Sequence, residues 1–596
     1  MAIATINDLF LIAAGHDKAE CLMHKVDGTY VSIPTSELVE NVHRLATALE
    51  TMGVKRGDRV ALMAENGPHW PAIDFATLAM GAVLVPIYPT LTSDQAAYIA
   101  NDCGASVLFV EGSDRLQGLL GERGDMPKVS RFVVIAGESS DASVVSLKQL
   151  LADNQPMDTS VFQAHAKTAK PDDLATFIYT SGTTGNPKGV MLTHGNIASN
   201  VEACLECMNI HSGQTSLSFL PLSHSFERTI DYIYFYRGVT IAYAESVQTV
   251  GENFGEVKPH MFVSVPRVYE KVLARVHENV AKGSPLKQKI FQWAEGVARD
   301  ALPYRLREES PPGLLGIKLA LADKLVFGKL KDRLGGRFEF AFSGGAPLSP
   351  DIARFFWGAG IQIYEGYGLS ETSPVLTVNR PGAVKMGSVG PTIRGVELKI
   401  AADGEILAKG PNIMKGYWNL PGETAEAIDA DGWFHTGDIG EIDDDGFLKI
   451  TDRKKEIIVN AYGKNVAPAP IENSLKASRF IEQAVVIGDQ RKFLSALIVP
   501  DFATLEIWAG ENSLATDDRQ ALLAERKVRE LYEQEVAAVN ERLAKYEQIR
   551  AFELVPNEFT IETGELTPTQ KIKRRVIGTK YGDTIEGIYT KAENRA

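Results

Sequence analysis

Cysteine is scarce in this chain: four residues among 596, at Cys21, Cys103, Cys204 and Cys207. So few thiols in so long a chain exclude a disulfide-built scaffold and favour a reducing cytoplasm. Cys204 and Cys207 form one C-x-x-C with no second Cys or His pair nearby, which excludes the usual zinc arrangement and leaves two small apolar residues on a helical face. Positive charge is also in deficit, with 62 Lys+Arg against 76 Asp+Glu and a formal net charge of −14. A balance of that sign argues against nucleic acid as the main partner. Long apolar runs are missing. The longest uncharged stretch, Phe75 to Ser93, is broken by Gly81, Pro86 and Pro89, so no membrane-spanning helix is expected. No basic segment precedes the first apolar stretch within Met1 to Glu20, as a secretory signal would require. Internal repeats and low-complexity tracts are absent too.

What remains is an ordinary globular composition, 44% hydrophobic and 23% charged, at a length calling for more than one domain. Short apolar segments alternate with helical patterns. Arg59 to Met63, Val83 to Tyr88, Ser106 to Val110, Phe132 to Ala136, Asp173 to Tyr179, Met261 to Val265, Phe338 to Ser343 and Ile361 to Tyr364 read as buried strands. Ser36 to Met52 has helical spacing. Buried strands between helices predict an α/β fold, with ligands on loops at the carboxyl ends of strands.

Between Pro266 and Arg337 lies a helical, charge-rich stretch. Its segment Leu314 to Leu334 sets Leu321, Leu325 and Leu330 beside Lys318, Lys324, Lys329, Lys331 and Arg333. Such a helix can lie on an anionic membrane, giving a peripheral contact, or pack its apolar stripe on its own domain, and the second reading is favoured. After about Ile400 short strands with Asp/Gly turns follow, and from Lys455 a smaller unit begins, with a long helix whose face runs from Val528 to Tyr546.

The chemistry concentrates in Tyr179-Thr180-Ser181-Gly182-Thr183-Thr184-Gly185-Asn186-Pro187-Lys188-Gly189, expected between a strand and a helix beginning near Asn196. Glycines let backbone N–H groups turn inward, hydroxyls add donors, and a lysine adds a point charge; together they make a phosphate cradle. It is not a Walker A loop, because Pro187 stands where that motif needs glycine.

This segment resembles the phosphate loop of the adenylate-forming enzymes, which include acyl- and aryl-CoA synthetases, adenylation domains and luciferases. Further segments resemble the family's motifs in the family's order: Leu220 to Arg228 (LPLSHSFER), Ser343 to Leu348 (SGGAPL), Glu365 to Thr372 (EGYGLSET), Thr436-Gly437-Asp438, Asp452-Arg453-Lys454-Lys455, and Leu566 to Lys571 (LTPTQK). LPLSHSFER, EGYGLSETSP, the helical insert and the long C-terminal helix look like the long-chain fatty acyl-CoA synthetases.

The resemblance implies an α/β protein with a large N-terminal domain of layered, mostly parallel sheets with helices (residues 1–454), and a small mobile α+β C-terminal domain (residues 455–596) that carries a catalytic lysine. It implies that a carboxylate attacks the α-phosphate of ATP to give acyl-AMP and pyrophosphate, and that the thiol of CoA then takes the acyl group and releases AMP. Fatty acid, ATP, CoA and Mg2+ are the expected ligands. By the same resemblance Lys188, Lys571 and His224 are catalytic. ATP and AMP fall to Thr180, Ser181, Gly182, Thr183, Thr184, Gly185, Lys188, Gly344, Gly345, Ala346, Glu365, Gly366, Tyr367, Gly368, Ser370, Glu371, Asp438 and Arg453. Thr184 and Glu371 would hold magnesium, Lys455 is the hinge, and Gly463 and Lys464 face the CoA side. Phe226 to Tyr243 is a candidate wall for the acyl chain or simply a buried helix and strand. A ligase that stops at acyl-AMP or loads another acceptor, and a nucleotide-binding homologue without catalysis, are the alternatives.

Overall fold

The computed structural model describes residues 3–180, 186–246, 248–462, 464–567 and 571–593. The chain divides into two compact units. The larger comprises residues 1–399, 407–436 and 442–448. The smaller comprises residues 400–406, 437–441 and 449–596.

Two eight-stranded sheets organise the larger unit. One runs in the order Gly416–Tyr417, Lys188–Thr193, Leu174–Thr180, Val83–Ile87, Arg59–Met63, Ala105–Val110, Arg131–Val134 and Val144–Ser146. It is parallel from Leu174–Thr180 to Val144–Ser146 and antiparallel at its other edge. The second runs Val375–Val378, Gln362–Gly368, Phe340–Ser343, Met261–Ser264, Thr215–Ser218, Thr240–Tyr243, Leu22–Val26 and Thr29–Ile33, parallel except at its two edges.

Alternation along the strands sends side chains into different cores, the period-2 consequence of the pleat. Val60 and Leu62 of the first sheet share one core with Ile241, Val263 and Phe342 of the second. The helix Ser225–Arg237 lies in that shared layer, contributing Ile230, Tyr232, Ile233, Tyr234 and Phe235. Ala61, Met63 and Val85 face a second core under the helices Ser93–Cys103 and Ser113–Gly121. Leu217, Phe262 and Ala341 face a third under Pro285–Leu306, Gly313–Ala322 and Pro350–Gly358.

Three expectations change. The phosphate-loop segment does not lead straight into a helix: Lys188–Thr193 is a strand, and the helix is His194–Leu205, capped by Thr193 in a capping box with Asn196. The long C-terminal helix ends at Asn540, so Leu543 and Tyr546 lie beyond it. The Asn540 side chain closes the following turn by accepting from the Ile549 N–H at 2.9 Å and donating to the Ile549 carbonyl at 2.8 Å. In the basic stretch, Leu319, Ala322, Phe327, Leu330 and Leu334 pack inward, whereas Leu321 and Leu325 are exposed. The inward set steps by five between Ala322 and Phe327, where Asp323–Phe327 forms a wider, π-type turn and the Gly328 N–H bonds the Asp323 carbonyl.

The smaller unit has its own core around a three-stranded sheet in the order Ile481–Ile487, Leu494–Pro500 and Ile549–Leu554. Helices Pro468–Lys476, Phe502–Glu511 and Arg526–Asn540 contribute Leu475, Leu505 and Tyr532 to it.

Candidate active site

Strands Leu174–Thr180 and Lys188–Thr193 are paired antiparallel, with Thr180 opposite Lys188. Ser181, Gly182, Thr183, Thr184 and Gly185 lie outside the described residues. Lys188 therefore stands where the phosphate-loop segment rejoins the sheet. Its ammonium pairs with Glu423 and lies 5.4 Å over the Tyr417 ring. The Tyr417 hydroxyl donates to Glu371 Oε1 at 2.9 Å. Burial and the neighbouring Glu371 raise the Tyr417 phenol, which stays protonated as that donor. Gly416–Tyr417 reaches this place because it adds a strand beside Val190 and Met191.

The segment Glu365 to Thr372 begins on the strand Gln362–Gly368 and turns through Ser370–Thr372. Gly368 is required by contact: a Cβ there would overlap the Pro374 carbonyl. Glu365 is buried, and burial pushes its carboxyl up to about 8. Tyr367 is half-buried. The Ser370 and Ser225 hydroxyls are 3.4 Å apart. Gly344 donates its N–H to the Ser264 carbonyl at 3.1 Å, and its missing side chain leaves room for the Phe226 ring, 3.1 Å from where a Cβ would stand. Gly345 follows at φ +79°, and Gly345 and Ala346 are exposed. The segments around His224, Gly344 and Ser370 thus meet within the larger unit.

His224 caps the helix Ser225–Arg237, its Nδ1 accepting from the Phe226 N–H at 3.1 Å. An accepting Nδ1 places the proton of the neutral ring on Nε2. Behind it, Arg228 is fully buried and gives two hydrogen bonds to Asp74, at 2.5 and 3.0 Å. It also donates to the Tyr232 hydroxyl at 2.9 Å and to Thr176 Oγ1 at 2.8 Å, and lies 5.3 Å from the Trp70 ring. One charged network therefore ties the His224 helix to the helix His69–Ala79 and to the strand that leads into the phosphate loop. On the same helix burial raises the carboxyls of Glu227 and Asp231, the latter to about 8.

A cavity of about 490 Å3 opens beside the same face of the second sheet. Phe340, Phe342, Trp357 and Tyr364 wall it, with Cys207 and Met208, and Glu308 and Glu339 among its polar residues. Phe342 and Tyr364 immediately precede Ser343 and Glu365, so the cavity lies against the strands that carry the Gly344 and Glu371 segments.

In the smaller unit Asp438 is buried on the strand Phe434–Ile442 and accepts from Arg453 Nε at 3.1 Å. Gly437, at φ +70°, makes the bend before it; its N–H bonds Glu405 at 3.0 Å and its carbonyl accepts from the Lys454 N–H at 2.8 Å. Lys454 pairs with Asp403 and Glu405. Lys455 is an exposed turn residue. Lys464 is exposed, and its N–H bonds Asn460 Oδ1 at 3.0 Å; Gly463 lies outside the described residues. Lys571 is exposed beside a two-residue bridge between Leu566 and Ile572, its N–H bonded to Thr567 Oγ1 at 3.0 Å and its carbonyl to the Thr567 N–H at 2.8 Å. Among the described residues no group of three or more His, Cys, Asp or Glu could hold a metal.

The match to known sequences covers both units. Residues 12–418 match the AMP-binding enzyme family and residues 455–593 match the AMP-binding enzyme C-terminal domain. The chain belongs to the AMP-binding enzyme family. It is 39% identical over 578 residues to the long-chain-fatty-acid–CoA ligase FadD15 of Mycobacterium tuberculosis, spanning 95% of this chain and 94% of that one. To the peroxisomal long chain acyl-CoA synthetase 7 of Arabidopsis thaliana it is 33% identical over 626 residues, spanning 98% and 86%. The adenylation domain of a carboxylate reductase from Mycobacterium chelonae shares the fold, with a TM-score of 0.78 at 23% identity over 98% of this chain and 91% of that one.

Within this AMP-binding enzyme, the motif residues Lys188 and Glu371 join one cluster through Tyr417, and Asp438 and Arg453 form a pair. Sequence reading passed over Tyr417, Glu423, Asp74 and Thr176. Tyr417 carried a faint signal, an aromatic pair (Tyr417-Trp418) in a polar segment; Asp74 carried one as the lone charge at the head of the longest uncharged run. Glu423 and Thr176 had none, because a helix carries the first to Lys188 and helix-on-sheet packing brings Arg228 to the second.

Proposed function

We propose that this AMP-binding enzyme activates a long-chain fatty acid with ATP and transfers it to CoA. In the first half-reaction a carboxylate oxygen attacks the α-phosphorus, the bond to the bridging oxygen breaks, and pyrophosphate leaves. In the second, the CoA sulfur attacks the acyl carbon and AMP leaves with the electron pair. A carboxylic acid with a reference pKa of about 4–5 is ionised at neutral pH and needs no general base. The barrier is repulsion between two anions, so catalysis is positioning and cation placement.

The observation that supports the reading is the cluster at the phosphate strand: Lys188 and Glu371 bracket Tyr417 where the Thr180 segment rejoins the sheet. Lys188 and the loop amides hold the β- and γ-phosphates, exchanging Glu423 for the triphosphate. Lys571 neutralises charge between the carboxylate and the α-phosphate. Asp438, oriented by Arg453, accepts from the ribose hydroxyls; Tyr367 faces adenine, while Gly344 and Gly345 admit the ring against backbone. His224, with its proton on Nε2, donates toward the acyl carboxylate. Lys464 and Gly463 belong to the CoA side, and Lys455 to the hinge between half-reactions. One carboxylate fits magnesium, which binds few protein ligands and takes the rest of its shell from phosphates and water. Glu371 and Thr184 would hold it, and when bound it supplies charge neutralisation on the phosphates.

The cavity takes the far part of the acyl chain against its aromatic wall of Phe342, Tyr364 and Trp357, with Arg305, Glu308, Glu309 and Glu339 on its polar side; its volume is that of a small-molecule site. Among the described residues no helix is long and apolar enough to cross a membrane.

The test is pyrophosphate release over acids of graded chain length, with AMP release followed with and without CoA. Long-chain acids should outpace acetate and aromatic acids, and AMP should appear in quantity only with CoA. A preference for acetate would overturn the substrate class, and CoA-independent turnover would overturn the product.

A further inference from the structure

The helix Ser93–Cys103 contains none of the motif residues, yet its last turn reaches three segments that surround Lys188. Tyr98 and Asp102 stand four apart and so share one face of it. Asp102 Oδ2 accepts from the Tyr179 hydroxyl at 2.5 Å. Tyr179 is buried, burial raises its phenol, and the group stays protonated as that donor. The Tyr179 ring lies across the neighbouring strand at Gly189, 3.1 Å from where a Cβ would stand, so the residue beside Lys188 is glycine to admit it. Asn186, two residues before Lys188, hydrogen-bonds the Tyr98 hydroxyl through its side chain. The Asp102 carbonyl accepts from Trp418 Nε1 at 2.9 Å, and Trp418 adjoins Tyr417, whose ring lies under the Lys188 ammonium. Helix stability does not call for this carboxylate. A negative charge in a last turn opposes the helix dipole. The carbonyls of Cys103 and Gly104 at that end are met by Arg59, at 2.6 and 3.2 Å.

We propose that Asp102 and Tyr98 are positioning residues for ATP: they fix Tyr179 and Asn186, and through them the place of the Lys188 ammonium against the triphosphate. The inference deepens the reading of Lys188 as the phosphate-binding cation and rests on it. A lysine is a point charge on a flexible stem, so its aim depends on the backbone that carries it. That backbone is the start of the strand Lys188–Thr193, opposite Thr180. Tyr179 braces it from the facing strand and Asn186 from the approach, and a single helix turn holds both. Without the Asp102 bond the Tyr179 ring loses the partner that keeps it over Gly189, and the strand carrying Lys188 loses that brace.

The test is equilibrium dialysis of the full-length protein against MgATP without acid, joined to KM for ATP and for the acid in pyrophosphate release. Tyr179→Phe, Asp102→Ala and Tyr98→Phe should each weaken ATP binding about fivefold, as the loss of one hydrogen bond does. KM for ATP should rise by a similar factor, with KM for the acid staying where it was. Asp102→Asn, which keeps an acceptor for the Tyr179 hydroxyl, should restore most of the affinity. The double variant Tyr179→Phe/Asp102→Ala should bind ATP no worse than the weaker single variant, because both changes remove the same bond. Unchanged ATP dissociation constants, a double variant whose loss is the product of the two single losses, or a KM for the acid that rises as much as that for ATP would overturn the proposal. A wild-type protein that binds ATP yet releases no pyrophosphate with any acid would instead overturn the catalytic reading, and the dialysis would still decide this inference.

Discussion

The buried network around Arg228 offers the sharpest test of how the site is held. Arg228 and Asp74 have side-chain exposures of 3% and 2%, and two hydrogen bonds join them. Replacing Arg228 with Met keeps most of the volume but leaves the Asp74 carboxylate with Tyr232 alone, at 2.6 Å. Removing one member of a buried pair costs about 3–5 kcal/mol, because the remaining charge has lost both water and partner. Replacing both members with apolar residues avoids that cost, so Arg228→Met/Asp74→Leu should recover most of it. With either single change costing about 3–5 kcal/mol and little of that left in the double variant, the interaction term of the cycle should be negative and larger than about 3 kcal/mol in size. At about 2.1 cal/mol/K per residue, a loss of about 4 kcal/mol in a unit this large lowers the melting midpoint by about 4–5 °C. Differential scanning at one fixed rate on all four proteins reads this directly. Additive single losses, or a harmless Arg228→Met, would show that the pair does not clamp the His224 helix to the phosphate strand.

Three further outcomes follow from the site. Lys571→Ala should lower pyrophosphate release at least ~100-fold while leaving the melting temperature unchanged, since the exposed side chain is not part of the core; adenylate formation at the original rate would remove Lys571 from the mechanism. Glu365, held near 8 by burial, binds a proton in the folded state that the unfolded chain, near 4.3, has already lost, so its stabilising contribution is fully present below about 4.3 and fades as pH rises through about 8. Stability of the wild-type protein should thus fall by up to about 1.4 kcal/mol per pH unit more than that of Glu365→Gln across this window, and identical pH profiles from urea unfolding would contradict it. Met208→Trp should fill part of the cavity and shift the preference in the pyrophosphate assay toward shorter acids, whereas an unchanged chain-length profile would move the acyl slot elsewhere.

Much of this protein is legible along the chain because its signals are local. Strand positions such as Arg59–Met63 and Met261–Ser264 follow from short β-rich apolar runs, and the phosphate segment announces itself by glycine, hydroxyl and lysine in sequence. Gly368 and Gly344 are glycine for reasons of close approach that only packing displays, against the Pro374 carbonyl and the Phe226 ring.

Other features depend on which distant segments meet. The leucines of the segment Gly313 to Arg333 read as one packing stripe, but the wider turn at Asp323–Phe327 divides them into an inward set and an exposed line. Tyr417 comes to Glu371 because Gly416–Tyr417 adds to a sheet edge, and Asp74 comes to Arg228 because two helices share a core. Residue order and spacing thus settled the family and singled out the candidate cations, since both are written in contiguous motifs. Pairing, burial and exposure were settled by the tertiary fold, because each depends on which segments pack together, over 46 positions for Tyr417 and Glu371 and 154 for Asp74 and Arg228.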